Sequence, residues 1–253
     1  MAAARELRER HDDVPAFVLH VYPYRETSVI VESFTPVLGR VALVARGAKR
    51  PRSELRGLLN AFQPLTLSWA GGGEMKTLIK AEWRGGLPLP TGSALLCGFY
   101  LNELLLKLLA REDAHPELWR HYESALAALT QHTAPADQAV VLRRFELQLL
   151  AELGYAMPLT QASDGTSVRA SERYHYAFER GPLVAAEPGV RYPLVRGETL
   201  LALAQERYAD ARVAAEAREL MRTVLDHYLE ERRIFSRRVV RDLQALDGES
   251  EAP

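Results

Sequence analysis

The chain has 253 residues, 47% of them apolar and 26% charged, a composition that permits a substantial buried core and excludes a disordered polyelectrolyte. Lysine plus arginine at 32 against 33 acids leaves a formal charge of -1, so no global field points to a polyanion, and positive charge must be judged where it is locally concentrated. The single cysteine, Cys97, excludes an internal disulfide and a cysteine-built zinc site, and a cytoplasmic setting is the expectation.

The opening MAAARELRERHDD is charged and lacks a continuous apolar stretch, so residues 1–14 read as a flexible tail, neither signal peptide nor membrane span; 248–253 read as a second tail. From Pro15 the pattern turns strand-like. FVLHVY, TSVIVESF, GRVALVA, PLTLSW and EMKTLIKAEW are short runs rich in β-branched and aromatic residues, separated by turn formers. In the fifth, Met75, Thr77, Ile79, Ala81 and Trp83 alternate with Lys76, Leu78, Lys80 and Glu82, and the first set is expected inward. Gly71–Gly73 read as the hairpin turn before it, since the segment lacks the strand-to-helix setting and the lysine of a phosphate-binding loop. Five strands over residues 15–86 fit a small barrel of the oligonucleotide/oligosaccharide-binding (OB) type, and an SH3-like barrel fits nearly as well. SELRGLLNAF, with Ser53 as N-cap, supplies the short helix such a barrel places between its third and fourth strands.

After Gly85, Gly86, Pro88 and Pro90 the period becomes helical, giving an α+β chain overall. GSALLCGFYLNELLLKLLA is apolar around most of its circumference and reads as a central helix, with Cys97 as a small core residue. A second helix starts at His115-Pro116 and carries Leu118, Tyr122, Leu126 and Leu129 on one face; a third runs from Ala136 to Leu153 and stops at Gly154. The helical domain thus has a first part at 87–154. Residues 155–196 gather Gly and Pro and show alternation only in RYHYAF, which reads as an irregular insert with a small hairpin. Helices resume over 197–247, where VAAEARELMRTVLDHYLEERR places Val213, Ala217, Leu220, Val224 and Tyr228 on a core-facing stripe. Arg232, Arg233, Arg237, Arg238 and Arg241 then meet a helix C-terminus, where cations are favoured.

No catalytic pattern stands out. HExxH, GxSxG and Walker A are absent, the seven histidines are scattered without ligand spacing, and neither a metal nor a cofactor is expected. The concentrated feature is GRVALVARGAKRPRSELRGLL, where Arg46, Lys49, Arg50, Arg52 and Arg56 face one acid, Glu54. With Arg25, Arg40 and Lys76 from the same barrel, and Tyr22 and Tyr24 flanking Pro23, these residues supply what a single-strand groove needs. Cations neutralise phosphates, and exposed aromatics stack on bases at roughly 1–3 kcal/mol each. Phe34 and Trp69 alternate within strands and are expected in the core. Arg143 and Arg144, beside Phe145 in VLRRFELQLL, could present charge next to an apolar groove, an arrangement suited to an acidic peptide.

This layout resembles the RecO family of bacterial recombination-mediator proteins. The resemblance is densest in the YRETS turn, the T-x-x-x-G-R strand entry, the ARGA-R-x-x-S loop and F-x-P-L-x-L-x-W, and extends through YLNELLLKLL, HPELW, LRRFELQLLAELGY and FSRRV. It implies an OB barrel with a helical domain and no small-molecule turnover. It further implies binding of single- and double-stranded DNA, annealing of complementary strands, and help in loading recombinase onto strands coated by single-strand-binding protein in DNA repair. RecR and the acidic C-terminal tail of single-strand-binding protein are the implied protein partners, in the cytoplasm at the nucleoid and away from membranes. Carried onto this sequence, the resemblance makes Tyr24, Arg25, Arg40, Arg46, Lys49, Arg50, Arg52, Arg56 and Lys76 the expected DNA contacts, and Arg143 and Arg144 the expected contacts for the tail. Many family members carry a four-cysteine zinc module after the GY that ends the third helix; here MPLTQASDGTSVRASERYHYAFERGPLV has no cysteine, so zinc is expected to be absent and the insert to be among the more mobile parts. The competing reading is an adaptor that recognises acidic peptides through its helical domain without touching DNA.

Overall fold

The computed structural model describes residues 9–132, 134–208, 210–229 and 234–237. The chain divides into two compact units, Met1–Gln131 with Ile234–Pro253, and His132–Arg233. Two of the helices assigned to a separate helical domain by sequence therefore belong with the barrel. The reason is a shared core: Phe17 and Phe34, on the outside of the barrel, pack edge-on against Tyr122 of the second long helix, with ring centroids 5.2 and 6.0 Å apart.

In the first unit, strands β1 (Arg10–Tyr24), β2 (Ser28–Thr35), β3 (Gly39–Ala45), β4 (Pro64–Ala70) and β5 (Met75–Trp83) close into a barrel of order β1-β2-β3-β5-β4. β4 pairs back with β1, and β3 with β5 in parallel. Between β3 and β4 sits a one-turn helix, α1 (Leu55–Leu58). That closure and helix position are those of the OB arrangement, which decides between the two barrels the sequence left open. Val18, Val31, Val41, Leu43, Leu65, Leu67 and Trp69 fill the interior.

Three details depart from the sequence expectation. β1 begins at Arg10, not after residue 14, because β4 supplies partners to its polar start: Arg10 pairs with Ala70, and the Gly71 amide donates to the Glu9 carbonyl at 3.0 Å. A bulge lies between His11 and Val14, and Asp13 there takes φ +52°. α1 is capped at Glu54 without a side-chain hydrogen bond, so Ser53 is not its N-cap. In β5 the faces are the reverse of those expected: Lys76 and Leu78 point inward, while Met75, Ile79 and Trp83 are exposed. The register slips opposite Ser68 and Trp69, where Lys80 and Leu78 are the successive partners, so Ile79 is the extra residue and the inward set changes parity to Ala81.

Helix α2 (Ser93–Leu108) lies against β1, with Tyr100, Leu101, Leu104 and Leu105 buried and Cys97 half-buried. The bulge between Val18 and His20 leaves the Leu19 carbonyl outside the ladder, and buried Asn102 donates to it at 2.8 Å. Tyr122, from α3 (Pro116–Gln131), donates in turn to the Asn102 side chain. Leu118, Tyr122, Leu126 and Leu129 form the buried face of α3, as their spacing predicts.

The second unit contains α4 (Pro135–Glu152), a sheet of order β7-β6-β8 formed by β6 (Arg173–Ala177), β7 (Gly181–Leu183) and β8 (Leu194–Arg196), then α5 (Gly197–Gln205) and α6 (Ala211–Tyr228). The insert is thus more ordered than a loop with a hairpin, because the distant LVR segment adds a third strand too short to show periodicity. Tyr174 and Tyr176 are buried at its centre. The Arg169 amide donates to the Tyr174 hydroxyl at 2.9 Å, and the Tyr176 hydroxyl donates to the Pro158 carbonyl at 3.2 Å, so the tyrosines tie loop to sheet. Among the described residues no helix is long and apolar enough to cross a membrane.

Candidate nucleic-acid interface

At one end of the barrel the chain leaves β3 and folds through consecutive tight turns. Gly47 takes φ +70°, and amides of Arg50, Ser53 and Arg56 donate to the carbonyls of Gly47, Arg50 and Ser53 at 3.0, 3.0 and 3.2 Å. Buried Ala48 and Leu59 pin the segment to the barrel core, leaving Arg46, Arg50, Arg52 and Arg56 exposed. The neighbouring β1–β2 turn is joined to it: Lys49 donates through its amide to the Thr27 carbonyl at 2.9 Å and through Nζ to the Arg25 carbonyl at 3.1 Å. Arg25, at φ +50°, sets its guanidinium 5.1 Å from the Tyr24 ring. Arg46, Gly47, Arg50, Arg52 and Ser53 enclose a shallow cleft of about 380 Å³.

Charge pairing separates this cluster from most other cations of the first unit, although exposed Arg84, just after β5, also forms no ion pair with a described residue. Arg10, Lys80, Lys107, Arg111 and Arg120 each meet a carboxylate, whereas Arg25, Arg46, Lys49, Arg50, Arg52 and Arg56 form no ion pair with a described residue. Six cations held together with only Glu26 and Glu54 as acids in the same two segments repel one another and favour a polyanionic ligand that supplies further negative charge.

Two barrel cations expected at DNA are turned to another task. Lys76 is 2% exposed; it pairs with Glu112 and donates to the Gly73 carbonyl at 3.2 Å. Arg40 donates to the Leu106 carbonyl and lies 3.8 Å from buried Glu32, which also pairs with Arg111. Lys76 is therefore buried and Arg40 only 16% exposed: they fasten the barrel to α2 and the connection after it.

Beside the loop, Tyr22, Ile30, Val44 and Thr77 are cross-strand neighbours in one row across β1, β2, β3 and β5. None belongs to the buried core, and Tyr22, Met75 and Ile79 of this outer surface are 43%, 46% and 50% exposed. His20 lies beside Tyr22, the ring centroids 4.3 Å apart and the planes tilted by 56°. Alternation alone places Met75 and Ile79 in the core and gives no sign that Ile30, Val44 and His20 share an outer surface with them; the strand pairing carries that signal.

In the second unit, Arg143 is nearly buried and pairs with fully buried Glu146 one turn away. Arg144 is 48% exposed, and its Nε donates to Glu206 at 2.7 Å, an interaction that keeps its guanidinium more firmly protonated than usual. The structure thus leaves no bare cation at either position. Of the C-terminal arginines only Arg237 is described, donating to the Tyr100 hydroxyl at 3.2 Å; Arg232, Arg233, Arg238 and Arg241 lie outside the described residues. Among the described residues no three His, Cys, Asp or Glu side chains gather as a metal site.

Comparison with known proteins accounts for both units. Residues 12–86 match the family described as "Recombination protein O N terminal", and residues 89–237 match "Recombination protein O C terminal". The chain belongs to the RecO family. Among its relatives, a DNA repair protein RecO from Aromatoleum aromaticum is 50% identical over 240 residues, covering 94% of this chain and 99% of the relative. Those from Dechloromonas aromatica and Nitrosospira multiformis are 49% and 48% identical, covering 95% and 94% of this chain and 99% and 98% of the relatives. RecO-family membership places the closed barrel and its bare cationic loop within the N-terminal family segment.

Proposed function

We propose that this chain acts in DNA repair as a non-catalytic mediator that binds single- and double-stranded DNA and anneals complementary strands. The observation that carries the reading is the cluster of Arg25, Arg46, Lys49, Arg50, Arg52 and Arg56, held by backbone turns and unpaired with described carboxylates. Phosphates replace the missing counter-charges and release condensed cations, which makes affinity independent of sequence and strongly salt-dependent. The adjoining row of Tyr22, Ile30 and Val44 gives unpaired bases an apolar surface to lie on. Neutralising the backbone of one strand lowers its repulsion for a second, so annealing needs no bond-making chemistry from the protein.

Single-strand-binding protein and RecR are the proposed partners, with recombinase loading as the outcome. The acidic-peptide adaptor reading draws less support, because Arg143 and Arg144 already hold carboxylates. An acidic tail would bind at Arg144 only by displacing Glu206. The test is annealing of complementary strands coated with single-strand-binding protein. The proposal expects faster duplex formation with the protein present and no nucleotide consumed; an unchanged annealing rate would count against it.

A further inference from the structure

Behind the basic loop the end of the barrel is incompletely plugged. α1 is only four residues long, and its first residue, Leu55, and Leu59 just after it cover the core from one side. Between them and the strand ends lies an open recess of about 200 Å³, lined by Val21, Val29, Ala48, Lys49, Leu55, Arg56 and Leu59. Five apolar side chains make its floor and walls, and its two polar side chains are both cationic. Lys49 spends one ammonium donor on the Arg25 carbonyl, leaving two.

We propose that this recess takes one unstacked nucleobase of a single strand, while Lys49 and Arg56 hold the phosphates that flank it. The inference rests on the reading of the chain as a DNA-binding protein and adds how it tells strand states apart. The recess is smaller than an ordinary drug-sized pocket, so it holds one ring system and no more. Its apolar floor favours a flat, weakly hydrated group, and its bare cations demand that the group arrive on an anionic chain. A nucleotide within a single strand meets both requirements. In a duplex the same base is stacked and paired, and extracting it costs a few kcal/mol, so the recess favours single strands while the exposed arginines bind either form. Aliphatic walls recognise a ring by shape, which keeps binding tolerant of base identity.

Ala48→Leu fills the recess without changing any charge. Binding is measured by anisotropy with a labelled single-stranded oligonucleotide, an abasic oligonucleotide of equal length and a duplex. The unaltered chain is expected to bind the natural strand about tenfold more tightly than the abasic one. Ala48→Leu should remove most of that preference; because Ala48 also anchors the basic loop, the deciding readout is the ratio of natural to abasic affinity, with duplex affinity falling less than single-strand affinity. Equal binding of natural and abasic strands by the unaltered chain, or an unchanged preference in Ala48→Leu, overturns the assignment. Because the substitution could disturb folding, a second measurement uses the unaltered protein: 2-aminopurine in the bound strand should be shielded from iodide, and full quenching would contradict insertion. If instead Ala48→Leu abolishes binding of an acidic peptide with an aromatic residue and leaves DNA binding intact, the recess belongs to a protein partner and the proposal fails. Failure of the unaltered chain to bind any strand at low salt would remove the DNA reading itself, an outcome distinct from loss of the recess alone.

Discussion

The ammonium of Lys49 donates to the backbone carbonyl of Arg25 at 3.1 Å, fastening the loop after β3 to the turn between β1 and β2. Two segments far apart in sequence thereby present their cations as one surface. Lys49→Met should lose both a charge and this tie, while Arg46→Met loses a charge alone. The first is expected to weaken single-strand binding by about 1 kcal/mol more than the second; equal losses would show that the tie does not organise the surface.

Lys76 and Glu112 differ in burial, and that asymmetry predicts an order of effects. Lys76 is 2% exposed and Glu112 44%. Glu112→Gln leaves an ammonium buried with a weaker partner and should destabilise the first unit by about 1–3 kcal/mol. Lys76→Met leaves a carboxylate that water can reach and should cost less. Urea unfolding checks the order, and neither substitution should alter the salt dependence of DNA binding.

Gly39, in the T-x-x-x-G-R entry to β3, has φ +59°, and a Cβ there would lie 1.7 Å from the Asp113 carbonyl oxygen. Gly39→Ala should therefore lower stability by about 2–4 kcal/mol, because it combines backbone strain with a clash against main chain. Thermal unfolding near that of the unaltered protein would contradict this role.

Glu103 receives the amides of Phe235 and Ser236 at 2.7 and 2.8 Å, holding the returning C-terminal segment on α2. Burial pushes its carboxyl pKa up, but hydrogen bonds from Ser236 and Phe235, with Lys107 adding to them, outweigh burial and hold it below the usual range. A depressed folded pKa means the stabilisation is fully present above the ordinary carboxylate value and fades as pH falls through the folded value. Hydrogen exchange at Phe235 and Ser236 should thus accelerate, relative to intrinsic rates, on acidification below about pH 4.3. Glu103→Gln should accelerate it already at neutral pH.

The insert packs around two buried tyrosines, Tyr174 and Tyr176, and its sequence contains no cysteine. Tyr174→Ala should destabilise the second unit by about 3–5 kcal/mol, since it removes a ring that is 1% exposed together with its hydrogen bonds to Arg169 and Glu172. A metal chelator should leave the unfolding of that unit unchanged in circular dichroism.

The local pattern made the strands, the long helices and the basic loop legible, because each signal lies within one element. What it could not show depends on contacts between elements. Arg40 and Lys76 look like any other barrel cations until Leu106 and Glu112, 66 and 36 residues away, are brought beside them. Alternation misassigns the faces of β5 because one bulged residue, Ile79, inverts it, and only pairing with β4 reveals the slip. Arg143 and Arg144 were legible as a basic pair, but Glu206 lies 62 residues beyond Arg144 and takes up its charge.

The central claim, that the bare cations after β3 hold DNA phosphates, is tested most directly by single-strand affinity as a function of salt for the unaltered chain and for Arg46→Gln, Arg50→Gln and Arg52→Gln combined. The account predicts tight binding at low salt that weakens steeply as salt rises, and a slope shallower by about 2 in the triple variant. Absence of binding at low salt, or an identical slope in the two proteins, would contradict it.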